Sequence, residues 1–307
     1  MIKLFTHNDF DGVVCYVLAN LAYGDNVDVS FCPHIKINSL VETCFKKRNF
    51  DEVHITDIAV NPALALKIDE SMKPYMLLDH HQTSLPLNQF SWWKVEVNDA
   101  DGKPTCGAKL YYDWLVENGK LQKSDVLDEM VELTRNYDTW MWAELGEYGL
   151  ISKDINDLLY LYDRPKFIQW ALNSVKSGKF PNFSSVDRAV LDVNTARILA
   201  YVDEKEEDME VAQYHGYNMG LIFADSYTND IAHILCARHP ELDYMAIVNA
   251  SSCRVSLRSE KDNVDVSEIA KIFNGGGHRQ AAGFSFTKHT KQKMFGDVFV
   301  SLIFERG

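Results

Sequence analysis

His7, Asp9 and Asp11 stand at alternate positions in HNDFDG, with Gly12 directly after them. On an extended chain that spacing points all three side chains to one side. An imidazole and two carboxylates beside a glycine turn make a cradle for a divalent cation, although acids also favour helix N-termini for their own sake. Asp57 follows the apolar run VHIT, and Asp79, His80 and His81 follow YMLL. A lone aspartate after a strand is ordinarily a turn residue. Three placements after successive strands put acids and imidazoles on one sheet edge, where ligands bind in open α/β sheets. Asp138, in NYDTWMW, closes a helical pattern and adds a further candidate, against a plain capping role. Aspartate oxygens and histidine nitrogens without thiolate suit Mn²⁺, with Mg²⁺ or Co²⁺ as alternatives and zinc less favoured. Near the other end, Gly275, Gly276 and Gly277 precede His278 and Arg279. Backbone without Cβ atoms lets N–H groups close on an anion, and glycine is equally the usual stop after a helix such as IAKIF. The two basic residues beyond the run favour the anion. Arg258 divides evenly between a phosphate contact and a strand residue paired with Glu260 or Glu268.

These residues need elements to hold them. Apolar runs at 2–5, 27–31, 53–56 and 75–78 alternate with helical patterns at 13–22 and 62–72, the rhythm of βαβ units. Runs apolar at nearly every position imply strands covered on both faces and a mainly parallel sheet. Asn61 and Pro62 supply a cap and a first-turn proline for the second helix. From 105 to about 212 the pattern is mostly helical, including 109–117, 125–137 and 185–207, the last ending in the charge run 203–208, taken as a solvated helix end leading into a linker. Beyond it, strand-like runs at 219–224, 245–249, 254–258 and 284–286 alternate with helices at 229–238 and 266–273, giving a second, smaller α/β domain.

At 307 residues, with 46% hydrophobic and 24% charged residues, the chain has room for two cores and the balance of a globular protein. Its net charge of −13 argues against a broad surface for long duplex DNA. From position 250 onward there are nine Lys/Arg against six Asp/Glu, and the rest carries 22 against 38, so the terminal lobe suits an anion better. Six scattered cysteines without a C-x-x-C pair indicate reduced, mostly buried thiols. No secretory or membrane-length apolar segment occurs, which implies a cytoplasmic location and no membrane partner.

In order, these residues closely resemble the motif set of the DHH phosphoesterase family. His7, Asp9, Asp11 and Gly12 match its H-x-D-x-D-G motif, Asp57 the lone aspartate of the second, Asp79-His80-His81 the trio that names it, and Asp138 the fourth. Gly275-Gly276-Gly277-His278, with Arg279 and AAGF after it and Arg258 before it, resembles the GGGH signature of the DHHA1 domain joined to it. The resemblance spans the whole chain. It implies a DHH catalytic domain at 1–183, a helical linker at 184–212 and a DHHA1-type domain at 213–307, with the active site in the cleft between. It also implies that His7, Asp9 and Asp57 hold one metal ion, and that Asp11, Asp57, His80 and Asp138 hold a second. Asp79 would orient a neighbouring group and His81 would contact the scissile phosphate, so that Asp57, Asp79, His80 and His81 carry the catalysis, by two-metal activation of water without a protein nucleophile. Arg258, the glycines, His278 and Arg279 would grip the substrate's terminal phosphate. Phe31, Tyr137, Trp140 and Trp142 are candidates to stack on a base, against core packing as the ordinary role of such residues.

The expected reaction is hydrolysis of short oligonucleotides to 5′-mononucleotides, in the nanoRNase-like branch of the family, with a homodimer admitted. Cyclic- or linear-dinucleotide phosphodiesterase and 3′-phosphonucleotide phosphatase are the enzymatic alternatives. The short acidic chain disfavours a single-strand exonuclease, and the GGGH signature a pyrophosphatase. A catalytically silent nucleotide sensor is the reading from another class, and the filled ligand positions argue against it.

Overall fold

The apolar run near the N-terminus becomes β1 (Ile2–Thr6) in the computed structural model, which describes residues 1–47, 50–71, 74–214, 216–277 and 279–293. The alternation continues with α1 (Phe10–Tyr23), β2 (Val27–Phe31), α2 (Ile37–Lys47), β3 (Glu52–Thr56), α3 (Pro62–Glu70), β4 (Tyr75–Asp79) and β5 (Trp93–Val95). These strands form one sheet, ordered β2-β1-β3-β4-β5 and parallel throughout. Successive residues of a strand face opposite sides, and the sheet uses both. Leu4 and Leu78 pack into one core with α1, while Phe5, Ile55 and Leu77 pack into another with α2 and α3. The Asn61 side chain accepts from the Leu64 N–H at 2.9 Å and Pro62 opens α3, as expected. α2 and the three-residue β5 were not anticipated: α2 joins apolar and polar positions without a cap signal, and β5 is too short to show a period.

A helical block follows, with α4 (Gly107–Glu117), α5 (Asp125–Asp138), α6 (Gly146–Leu161), α7 (Arg164–Lys176) and α8 (Ser185–Glu207). α4 to α7 close over α1, whose Val13, Val14, Val17 and Leu18 are fully buried. At roughly 25 cal/mol per Å² of apolar surface, such fully enclosed side chains are worth about 1.5–3 kcal/mol each, which anchors the helix carrying Asp11.

Two compact units result, Met1–Leu191 and Asp192–Gly307. α8 contributes Leu191 to a core of the first and Ile198 and Val202 to one of the second. The stretch expected as a linker is therefore built into both cores, and its last residues already belong to β6 (Glu210–Tyr214). The charge run lies at the surface, where Asp203 and Glu206 accept hydrogen bonds from Arg238. The second unit continues with β7 (Tyr217–Phe223), α9 (Thr228–Arg238), β8 (Tyr244–Asn249), β9 (Arg254–Arg258), α10 (Val266–Ile272), β10 (Gly276–Gly277) and β11 (Ala281–Ser285). Its sheet runs β10-β11-β9-β8-β7-β6, with only β7 and β8 parallel. Met245 and Ile247 face α9, and Tyr244 and Ala246 face α10. Among the described residues, no helix is long and apolar enough to cross a membrane.

Candidate functional site

β1 ends at Thr6, and the chain turns at once into α1. Asp9 caps that helix, its Oδ1 accepting from the Gly12 N–H at 3.1 Å. A Cβ on Gly12 would lie 2.2 Å from the His7 carbonyl oxygen, so only glycine lets the helix start this close. Strand alternation is thus not what gathers the motif: Asp11 sits in the first turn of α1 and faces inward by helical geometry. His7 Nδ1 lies 2.5 Å from Asp9 Oδ2 and 4.0 Å from Asp57 Oδ2.

Asp57 follows β3 in the left-handed region, at φ 57°, a conformation aspartate tolerates better than most residues. Its N–H donates to the Leu78 carbonyl at 3.0 Å, which ties the ends of β3 and β4 together. Asp79 ends β4, fully buried, and its Oδ1 lies 2.7 Å from His81 Nδ1. His80 Nε2 is 3.2 Å from Asp57 Oδ1, 3.4 Å from Asp138 Oδ2 and 3.9 Å from Asp11 Oδ2. All eight predicted residues of the first unit therefore meet. Three overlapping sets, His7–Asp9–Asp57, Asp11–His80–Asp138 and Asp57–Asp79–His80–His81, each hold their ligand atoms within 4.8 Å of one another.

The electrostatics call for a cation. Burial, then the charges of Asp11, Asp9 and Asp138, pushes the Asp57 carboxyl well above its usual range, and burial with Asp11 and Asp9 does the same to Asp138. Burial and Asp9 push Asp11 up to about 6, opposed by the Ala108 N–H. Asp79 behaves differently: burial raises it, but the His81 hydrogen bond and charge win and bring it down. His81 in turn is raised, because Asp79 outweighs burial. Asp57, Asp79 and Asp138 each keep a buried Oδ2 without a hydrogen-bond partner. Crowded carboxylates with orphaned oxygens fit divalent cations bound through oxygen and imidazole nitrogen.

Three participants escaped the sequence. Gly107, the first residue of α4, leaves no room for a side chain: a Cβ there would lie 2.5 Å from Asp57 Cβ and 2.9 Å from Asp11 Oδ2. The N–H groups of Gly107 and Ala108 donate to the two Asp11 oxygens at 2.6 and 2.8 Å. A glycine within a helical pattern was the available signal. His34, in the loop after β2, has its ring centroid 4.6 Å from that of His7 and 5.5 Å from that of His81. Arg164 lies 4.4 Å from the Phe31 ring centroid and donates to the Asn8 carbonyl at 3.5 Å. Phe31 is thus occupied by Arg164, and Trp142 is buried against Tyr137 and Trp140, as core packing requires.

In the second unit, Arg258 ends β9. It pairs with neither proposed glutamate: its guanidinium donates to the carbonyls of Leu257 and Ala282 and, at 3.0 Å, to Asn229 Oδ1. Glu260 instead meets His233, and Glu268 meets Lys271. Arg258, Arg254, Gly275 and Gly276 line a cavity of about 500 Å³ beside the stacked Phe273 and Phe284. Helix α10 is stopped by Asn274 at φ 57° rather than by a glycine. Gly275 and Gly277 are sterically required, since Cβ atoms there would strike Gly283 O at 2.2 Å and Ala281 O at 2.5 Å. Only Gly276 has open space. Arg279 donates to the Asp262 carbonyl and is not among the cavity's lining residues. His278 lies outside the described residues.

Residues 222–302 match the model of the DHHA1 domain. Oligoribonuclease NrnB of Bacillus subtilis is 33% identical over 306 residues, covering 97% of this chain and 76% of NrnB. The fold is similar to that of exonuclease RecJ bound to manganese, at TM-score 0.58 and 16% identity, over 96% of this chain and 88% of RecJ. It is also similar to the pGpG-specific phosphodiesterase PggH of Vibrio cholerae, at TM-score 0.56 and 12% identity, over the whole of both chains. RecJ and PggH share the fold, whereas the likeness to NrnB extends to a third of the residues along nearly the entire sequence. The chain accordingly belongs to the DHH phosphoesterase family with a DHHA1 domain, and is a hydrolase of phosphodiester bonds.

Proposed function

We propose that the protein hydrolyses short oligonucleotides, dinucleotides included, to 5′-mononucleotides. The orphaned, buried carboxylate oxygens of Asp57, Asp79 and Asp138 carry this reading. A silent nucleotide sensor has no use for carboxyls held at such a cost in one place. His7, Asp9 and Asp57 would hold one divalent ion and Asp11, Asp57, His80 and Asp138 the other, with Asp57 shared and Mn²⁺ the preferred metal. Two such ions supply an activated water and neutralise charge on the phosphate. Asp79 fixes the His81 ring through Nδ1, and the raised His81 offers a proton-bearing nitrogen to a phosphate oxygen. In the second unit, Arg258 and Gly276 are the groups proposed for the terminal phosphate. The likeness to an oligoribonuclease supports the choice of short RNA over cyclic nucleotides or a 3′-phosphonucleotide.

The test is a digest of di- to pentanucleotide RNA with Mn²⁺, followed by chromatography. Release of 5′-mononucleotides, abolished by Asp57→Ala with the fold retained, is expected. A metal-loaded wild type inert on these substrates sinks the proposal.

A further inference from the structure

His34 belongs to none of the acid and imidazole sets just described, yet its ring lies between those of His7 and His81. It is exposed, and its ring nitrogens have no hydrogen-bond partner among the described residues. A core histidine would be enclosed and bonded, as His54 is to Tyr111. Beside His34 opens a cavity of about 360 Å³, which begins at Asp79 and His81 and runs between the starts of α2 and α3 and the turn at Gln82–Leu87. Its volume is near the lower end of small-molecule sites, roughly 300–1,000 Å³, which suits one nucleoside and no longer segment. Its lining is mixed in the way a nucleobase demands. Pro62 and Leu87 give apolar surface for a ring face, and Asn38 and Thr83 give polar atoms for a ring edge. The Asn38 carbonyl oxygen already accepts from the Asn61 N–H at 2.8 Å, leaving its amide donors for a ligand.

We infer that this cavity is a nucleoside subsite, in which His34 stacks on the base of the nucleotide whose phosphate lies at His81. The inference rests on the phosphodiesterase reading above and adds to it where one base is held. A base face against an unbonded imidazole makes a sequence-tolerant contact, and Asn38 adds hydrogen-bonding to the base edge. An enzyme that must accept any short RNA needs a site of this kind beside its reacting phosphate.

The experiment compares binding of 5′-AMP and of inorganic phosphate to the Mn²⁺-loaded full chain by calorimetry, for wild type, His34→Ala and Thr83→Phe. Thr83 is exposed on the turn, so phenylalanine fills the cavity without entering a core. Wild type is expected to bind 5′-AMP more tightly than phosphate. Each variant is expected to weaken 5′-AMP by about tenfold or more and to leave phosphate within about twofold. Equal affinity of wild type for 5′-AMP and phosphate overturns the subsite, as does a parallel loss of both ligands or no loss in either variant. A wild type that binds no phosphate overturns the subsite and the phosphodiesterase reading together, whereas retained phosphate binding with an unaltered 5′-AMP affinity overturns the subsite alone.

Discussion

Stripping the metal should make the stability of the first unit fall as pH rises. Asp11 is pushed up to about 6 in the folded protein from an ordinary 3.8. The folded state therefore holds the Asp11 proton more tightly than the unfolded state. Stability from this group is present below pH 4 and lost as pH climbs through 6. At about 1.4 kcal/mol per pH unit, Asp11 alone removes on the order of 3 kcal/mol, about half of it between pH 5 and pH 8. Asp57 and Asp138, raised by burial and by their neighbours, act in the same direction, as does the raised His81. His34 and His54, lowered chiefly by burial, act in the opposite direction. Asp57→Asn isolates the acidic cluster, because asparagine keeps the shape and tolerates the left-handed backbone while removing one buried charge. The assay is urea unfolding in chelator, followed by tryptophan fluorescence. All six tryptophans lie between residues 92 and 170, so the signal reports the first unit only. The chelated wild type should be less stable at pH 8 than at pH 5, Asp57→Asn should narrow the gap, and Mn²⁺ at 100 times its Kd should return about 2.7 kcal/mol. A chelated wild type as stable at pH 8 as at pH 5, or with the same pH dependence as Asp57→Asn, refutes the picture of mutually repelling buried carboxyls.

Two substitutions test the supports of the site. Gly107→Ala drives a methyl group into Asp57 and Asp11; it should cost about 1–3 kcal/mol in urea unfolding and weaken Mn²⁺ binding, and an unchanged Mn²⁺ affinity by calorimetry would show that the centre does not depend on this contact. Asp79→Asn loosens His81 without removing a proposed ligand, so activity on a dinucleotide should fall about 10- to 100-fold while metal content by elemental analysis stays the same; loss of metal would make Asp79 a ligand.

Much of the first unit was legible because its inner strands β1, β3 and β4 are largely buried and therefore spell mainly apolar runs. β1, β2, β3 and β4 appear within a residue of the expected runs. The residues after them inherit their place from the sheet, which is why Asp57 and Asp79 to His81 could be gathered from positions far apart in sequence. Asp138 was harder, since it needs α5 to end against His80, and nothing local encodes that. His34 was harder to see because it lies in the turn after β2, three residues beyond the strand end, where no periodic pattern points it toward the sheet edge. Arg279 was placed by its neighbours in sequence, but the chain reverses there to pair β10 with β11, and its guanidinium goes to the Asp262 carbonyl.

Asp11 shows why the centre and the fold stand or fall together. Its two oxygens accept the first N–H groups of α4, where the helix dipole favours a negative charge. Each carboxylate oxygen retains a second acceptor direction, so Asp11 can bind a cation while still capping α4. Without the cation, burial and then Asp9 oppose the charge that the α4 N–H groups attract, and the carboxyl is pushed up to about 6. With it, repulsion gives way to attraction and both partners gain. Gly107 makes this possible, because any side chain at the start of α4 would hold the helix away from Asp11 and Asp57 alike. Metal binding in this chain should therefore tighten the packing of α4 against α1, a coupling that hydrogen exchange along 107–117 can measure directly.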